Sequence, residues 1–317
     1  MSAAWWLALR MPAADVGCVT IQANELESAR IIAGHVEYLA NVIGPRPSQQ
    51  ATALARAGSY IQEQLERFGW QAVRQPVGPQ PGFYNVVAER DAERFGHRPV
   101  LVVGAHYDTV LASPGADDNA SGVAVLLEVA RLLPPSGNSH VRLIAFTNEE
   151  APLGRTELRG SFVAAADSRR LGEDIQGMIA LESIGYFSDE ADSQRYPAWI
   201  GWAFPSAANY LAFIANPGSR SLLHRSIAAF RATASVPAEG IAVPPALVPH
   251  VRRSDHAPYW DHGYPALMIS GTAEFRNPNY HAASDLPGTL DFARLSDTAM
   301  GVVSMLRCLA SPPQPDT

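Results

Sequence analysis

Cysteine is nearly absent from this chain of 317 residues: there are two, Cys18 and Cys308, close to opposite ends. That number excludes a disulfide framework and supplies too few thiolates for a cysteine-based zinc site. The expectation is a pair of buried or free thiols. Charge is also sparse. Charged residues make up 17% of the chain and apolar residues 47%, which excludes a disordered chain and leaves material for a large core. The net charge is -7, and that balance argues against nucleic acid as a partner, because a phosphate backbone selects for clustered Lys and Arg. Long apolar runs are missing too. No segment reaches the roughly 18 uninterrupted apolar residues of a membrane span. The run over residues 3–9 stops at Arg10 and has no basic region before it, so it makes a poor signal peptide. The expectation is a soluble, cytoplasmic protein.

Against these absences stands a regular alternation of helix and strand. Ala29, Ile32, Val36, Leu39, Ala40 and Ile43 recur at helical spacing, which predicts an amphipathic helix over 25–43 closed by Gly44 and Pro45. A second helix is expected over 50–68, with Gly69 as its stop. Further helices are expected over 121–133, 159–166, 219–234 and 295–309. Strands are expected over 71–75, 84–89, 99–104, 140–147, 175–181 and 265–270. The pattern predicts a three-layer α/β/α fold with a mixed, mostly parallel central sheet. No linker divides the chain, so residues 1–310 are read as one domain. The proline-rich tail 311–317 is read as flexible, and the proline-rich stretch 236–249 as a surface loop at an active-site rim.

The chemistry-bearing residues fall at strand ends. Strand 99–104 runs into His106 and Asp108. Asp117 and Asp118 stand just before a helix. Strand 140–147 ends in Asn148-Glu149-Glu150, and strand 175–181 in Glu182. In open α/β sheets ligands bind beyond the carboxyl ends of the strands. Clustered carboxylates repel one another and are costly to bury unless a cation joins them. Zinc accepts this mixture of imidazole and carboxylate, and a second metal wants a second imidazole. Ser254-Asp255-His256 and Asn279-Tyr280-His281-Ala282-Ala283-Ser284-Asp285 supply candidates.

The segments Gly104–His106 with Tyr107-Asp108, 114–122, Asn148-Glu149-Glu150, 181–185, Ser254-Asp255-His256 and Tyr280-His281, in that order, resemble the zinc peptidase family of bacterial di-zinc leucyl aminopeptidases and glutamate carboxypeptidases. The resemblance spans about residues 85 to 290 and implies a zinc-exopeptidase fold holding two zinc ions per chain. It implies that His106 and Glu182 bind one zinc, that Glu150 and His281 bind the other, and that Asp117 bridges both. Asp108 would then accept the remaining N–H of His106. Asp117-Asp118 would be the pair joined by a cis peptide bond. Glu149 would be the general base that takes a proton from the metal-bridging water and passes it to the leaving amine. One departure is Glu182, where many such aminopeptidases carry Asp.

Alternatives remain for several residues. Asp255 and His256 either line the substrate site or brace their loop. Tyr259 or Tyr280 is a candidate donor to the oxyanion. Arg252 and Arg253 either hold a substrate carboxylate or sit solvated on a rim. A peptide substrate is expected, with an aminopeptidase as the first reading. The alternatives are a carboxypeptidase or amidase, a glutaminyl cyclase with a single zinc, and a scaffold protein without metal. The loops 188–210 and 236–253 are the expected seat of specificity.

Overall fold

The computed structural model describes residues 23–90, 99–134, 140–197 and 200–310. The N-terminal apolar run, Cys18 and the tail 311–317 lie outside these described residues.

Helix α1 (Glu25–Glu37) starts where the Asn24 side chain accepts a hydrogen bond from the Glu27 N–H at 3.2 Å. It continues through a widened turn to Ile43 and stops at Gly44, whose φ of 79° few other residues adopt without strain. Helix α2 (Ala51–Arg67) precedes the hairpin of β1 (Gln71–Pro76) and β2 (Tyr84–Glu89). Then come β3 (Val100–His106), α3 (Gly122–Leu132), β4 (His140–Phe146), α4 (Gly160–Leu171) and β5 (Ile175–Glu182). The chain ends with β6 (Leu211–Ala215), α5 (Arg220–Arg231), β7 (Ala238–Ala242), α6 (His256–Asp261), β8 (Ala266–Ser270) and α7 (Phe292–Ala310).

The eight strands form one sheet in the order β1-β2-β4-β3-β5-β8-β6-β7. The central pairs β4/β3, β3/β5 and β5/β8 are parallel, as is β6/β7; β1/β2, β2/β4 and β8/β6 are antiparallel. Alternate residues face opposite layers. Leu101, Val103, Ile179, Leu181, Phe213 and Ile269 join the core under α1, α3, α5 and α7. Val102, Ile144, Phe146, Met178 and Met268 face the other way, toward Ala164 on α4 and Tyr259 on α6. Burial on both faces explains why the central strands read as unbroken apolar runs. From β3 the chain steps to β4 on one side and then crosses to β5 on the other, so the order reverses at β3. Ligand sites gather at such a reversal.

Two expectations need correction. The stretch 236–249 is not all loop. It contains the edge strand β7, with Ala238 and Ile241 buried. Cys308 on α7 is disulfide-bonded rather than a free thiol. Among the described residues no helix is long and apolar enough to cross a membrane.

Candidate active site and metal centre

His106 is the last residue of β3, Glu182 the last of β5, and Glu149-Glu150 follow β4. The sheet therefore delivers three of the expected ligands to one edge. Backbone turns then aim the acids: Asn148 and Ser183, which flank Glu149 and Glu182, have φ of 59° and 48°, and His281 itself has 60°. Non-glycine residues adopt this left-handed region rarely, and functional sites collect such positions.

Asp118, not Asp117, lies between the histidines. Its Oδ1 is 3.2 Å from His106 Nε2, and its Oδ2 is 3.1 Å from His281 Nε2. His106 Nε2 is also 3.4 Å from Glu182 Oε2, and His281 Nε2 is 3.0 Å from Glu150 Oε1. Two groups result, His106 with Asp118 and Glu182, and Asp118 with Glu150 and His281; each has its donor atoms close enough to hold one ion. The expectation for Asp117 is overturned because its carboxylate is already engaged. Its Oδ1 accepts from the Gly185 N–H at 2.7 Å and the Tyr186 N–H at 3.2 Å, and its Oδ2 accepts from Asn277 Nδ2 at 2.7 Å. The cis peptide bond likewise joins Asp118 to Asn119 rather than Asp117 to Asp118.

These residues fit a metal. His106 Nε2 and Asp118 Oδ1 are buried, 3.2 Å apart, and neither has a hydrogen-bond partner. Buried polar atoms are normally partnered, and these two point at a common space. His106 Nδ1 lies 3.2 Å from the Asp108 backbone oxygen. That oxygen only accepts, so Nδ1 carries a proton and Nε2 is the ring nitrogen left to face an ion. The electrostatics agree. Burial alone would lower the His281 pKa, but Asp118 and Glu150 push it up to about 10. Burial, and after it Asp118, raises Glu150 to about 7. Protons thus hold places that a cation would fill.

Asp108 does more than the sequence suggests. Its carboxylate accepts from the backbone N–H groups of Glu149 and Glu150, each at 3.0 Å, and so fixes the turn that carries them. Glu149 belongs to neither metal group. Its side chain is 14% exposed, and its Oε1 accepts from Arg159 Nη2 at 2.6 Å. Burial holds its carboxyl well above the usual range, with Arg159 and His106 pulling the other way. Arg159 also reaches Asp255 Oδ1 at 3.5 Å.

A family model described as peptidase family M28 matches residues 85–306. The chain belongs to peptidase family M28. It is a metallopeptidase. It is similar to the uncharacterized protein YfbL of Escherichia coli, 34% identical over 285 residues that cover 86% of this chain and 85% of that one. A stretch of 71 residues is 44% identical to aminopeptidase YwaD of Bacillus subtilis, but it covers 22% of this chain and 15% of that protein. Among solved structures, BSAP, a zinc aminopeptidase from Bacillus subtilis, matches with a TM-score of 0.68 at 16% identity, over 91% of this chain and 96% of that one. A glutaminyl cyclase from Porphyromonas gingivalis matches with a TM-score of 0.62 at 20% identity, over 88% and 97%. At such identities the two structures share the fold, and function has to be argued from the site.

Around this M28 site, several further residues hold the ligands in place. Arg46 is fully buried and donates to the backbone oxygens of Leu39, Gly44, Tyr107, Pro114 and Gly115. It packs the Asp117-Asp118 loop against the end of α1. At Gly115, with φ of 61°, a Cβ would meet the Asp118 backbone oxygen at 2.3 Å. Asp285 accepts from the Asp117 and Asp118 N–H groups at 2.8 and 3.1 Å. Ser254 Oγ donates to Glu182 Oε2 at 2.6 Å. The segment 254–256 thus splits its tasks. Ser254 steadies Glu182 and Asp255 faces Arg159, while His256 donates to the Val251 oxygen at 2.7 Å and stands apart from both metal groups.

A cleft of about 870 Å³, open to solvent, adjoins the metal groups at Glu182 and Tyr280. Ile200, Phe204, Ile214, Ile241, Val243 and Met268 give it an apolar lining. Residues from both loops expected to set specificity line it, Gln194 to Tyr210 on one side and Glu239 to Arg253 on the other. Tyr280 stacks on His281 with ring centroids 3.8 Å apart. Tyr259 is buried on α6 and does not line this cleft.

Proposed function

We propose that the protein is a zinc-dependent aminopeptidase that removes the N-terminal residue of a peptide. The observation that carries this reading is the pair of three-ligand groups sharing Asp118, set beside the unliganded Glu149 and opening into an apolar cleft. His106, Asp118 and Glu182 would hold one zinc; Asp118, Glu150 and His281 would hold the other. When bound, the two ions supply Lewis acidity to the scissile carbonyl and lower the pKa of water. The chain's own groups do the rest. Glu149 takes a proton from the attacking water and delivers it to the leaving amine nitrogen. Arg159 holds one carboxylate oxygen of Glu149 and leaves the other toward the substrate. The phenol of Tyr280, beside His281, is the candidate donor to the oxyanion. The cleft receives the side chain of the departing residue.

Carboxypeptidase activity is less well supported. A terminal carboxylate wants an available guanidinium, and Arg252 and Arg253 are paired with Asp261 and Glu274. A glutaminyl cyclase with a single zinc leaves the second ligand group without a purpose.

The test is metal content and hydrolysis together. The purified protein is expected to bind two zinc ions and to cleave aminoacyl p-nitroanilides but not N-blocked peptides. Glu149→Gln is expected to keep both ions and lose roughly a hundredfold to ten-thousandfold in kcat, the usual weight of a general base. Cleavage confined to N-blocked peptides would move the reading to carboxypeptidase, and a protein that neither binds zinc nor hydrolyses would defeat it.

A further inference from the structure

The cleft has a floor that strand pairing defines. Glu182 on β5 pairs with Ser270 on β8, Ser270 pairs with Ala212 on β6, and Ala212 pairs with Glu239 on β7. Directly paired residues project from the same face of a sheet. All four line the cleft. The row therefore runs from an acid at the metal groups, across two small residues, to a second acid on the edge strand. Three strand spacings put the two ends roughly 14 Å apart. Ile241 and Val243, two and four residues beyond Glu239, line the cleft as well, so its apolar walls flank the row.

Glu239 is out of place in such a lining. Its partner is Arg231 on α5, whose Nη2 lies 3.5 Å from Glu239 Oε2, at the outer limit of an ion pair. The same guanidinium bonds more tightly to the Ala238 backbone oxygen, at 2.9 Å through Nε. The other charged groups of the cleft are committed elsewhere. Arg253 pairs with Glu274, Arg195 donates to the Glu274 backbone oxygen at 2.9 Å, and His250 stands edge-on to Phe275. Burial lifts the Glu239 carboxyl above its usual range, with Arg231 opposing, which is the state a further cation would relieve.

We propose that Glu239 makes this cleft selective for a substrate residue with a long apolar stem and a cationic tip, a lysine or arginine side chain at the peptide N-terminus. Ser270 and Ala212 leave room for the stem, the apolar walls cover its methylenes, and Glu239 receives the charged end. A purely aliphatic side chain gains the same walls and forgoes the charge. This inference rests on the aminopeptidase reading for where the main chain of the substrate lies.

Calorimetry on the zinc-loaded protein tests it, with L-lysine and L-norleucine as probes, since they share a four-carbon stem and differ in the terminal ammonium. Lysine is expected to bind about tenfold tighter than norleucine, the weight of one charge-assisted hydrogen bond. In Glu239→Gln the lysine-to-norleucine ratio is expected to fall to near one, and in Glu239→Lys below one. Melting curves and zinc content show whether each variant is folded. Norleucine binding as tightly as lysine, a ratio unchanged in Glu239→Gln, or failure of both probes to bind would each overturn the proposal. Hydrolysis of lysyl and leucyl p-nitroanilides separates the two readings. A lysine preference that depends on Glu239 in a protein that cleaves neither keeps the cleft assignment and rejects the aminopeptidase.

Discussion

The two ligand groups of the metal centre are built unequally. In the first, the side chains of His106, Asp118 and Glu182 are 1%, 3% and 8% exposed. His106 and Glu182 are strand-terminal residues, and Ser254 steadies Glu182 from a third segment. In the second, His281 sits on a loop, and its side chain is 34% exposed. Low dielectric strengthens an ion's hold on its ligands and slows its exchange with water. The buried group is therefore the stronghold and the open group the working side, nearer to substrate.

The largest effect comes from removing what the two groups share. Asp118→Asn replaces an anion that faces both histidines, and it is expected to lose both ions and all measurable hydrolysis, with elemental analysis as the readout. The same change at Asp117, whose oxygens serve three N–H donors, is expected to cost stability first. Next come the histidines, taken singly. His281→Ala is expected to retain close to one zinc per chain, and His106→Ala less than that at equal free zinc. The reverse order would break the comparison. Arg159→Met tests the contact that holds Glu149, the acid outside both groups. It is expected to keep the metal and lower kcat roughly tenfold with little change in KM, as the loss of one charge-assisted contact implies, with partial recovery in Arg159→Lys.

The last effect is one of pH, and it acts on metal affinity rather than on rate. His281 is raised to about 10 and Glu150 to about 7 when no ion is present. Both hold protons that an ion must displace, so affinity falls as pH falls. Below pH 7 the open group has two such protons to release, and the loss steepens to roughly a hundredfold per pH unit at most. Zinc titrations between pH 5.5 and 8 are expected to show the open group emptying first on acidification. Simultaneous loss would show that the two groups act as one.

The sequence made some of this legible and hid the rest for physical reasons. His106, Glu149, Glu150 and Glu182 could be found because each follows an apolar strand, and a parallel sheet brings such ends together. Asp117 and Asp118 could not be told apart. Both are acids at one turn, and which of them faces the ions depends on backbone dihedrals and on Gly185, Tyr186 and Asn277, which claim Asp117. Arg46 and Arg159 went unseen because a single buried arginine has no periodicity to betray it, and Asp285 stood in a candidate segment with no role to read from its position. Strands β6 and β7 are five residues each, and β7 lies within a proline-rich stretch, so composition outweighed pattern there.

Arg46 has one more consequence. The stretch that matches the family begins at residue 85, and every residue of the two ligand groups lies within it. The guanidinium that gathers five backbone oxygens around the Asp118 loop lies outside it. A recombinant fragment trimmed to the matching stretch would carry the whole set of reactive side chains and lack the clasp that gives one of them its direction. For this protein, the smallest unit worth expressing is set by a residue that touches neither ion nor substrate.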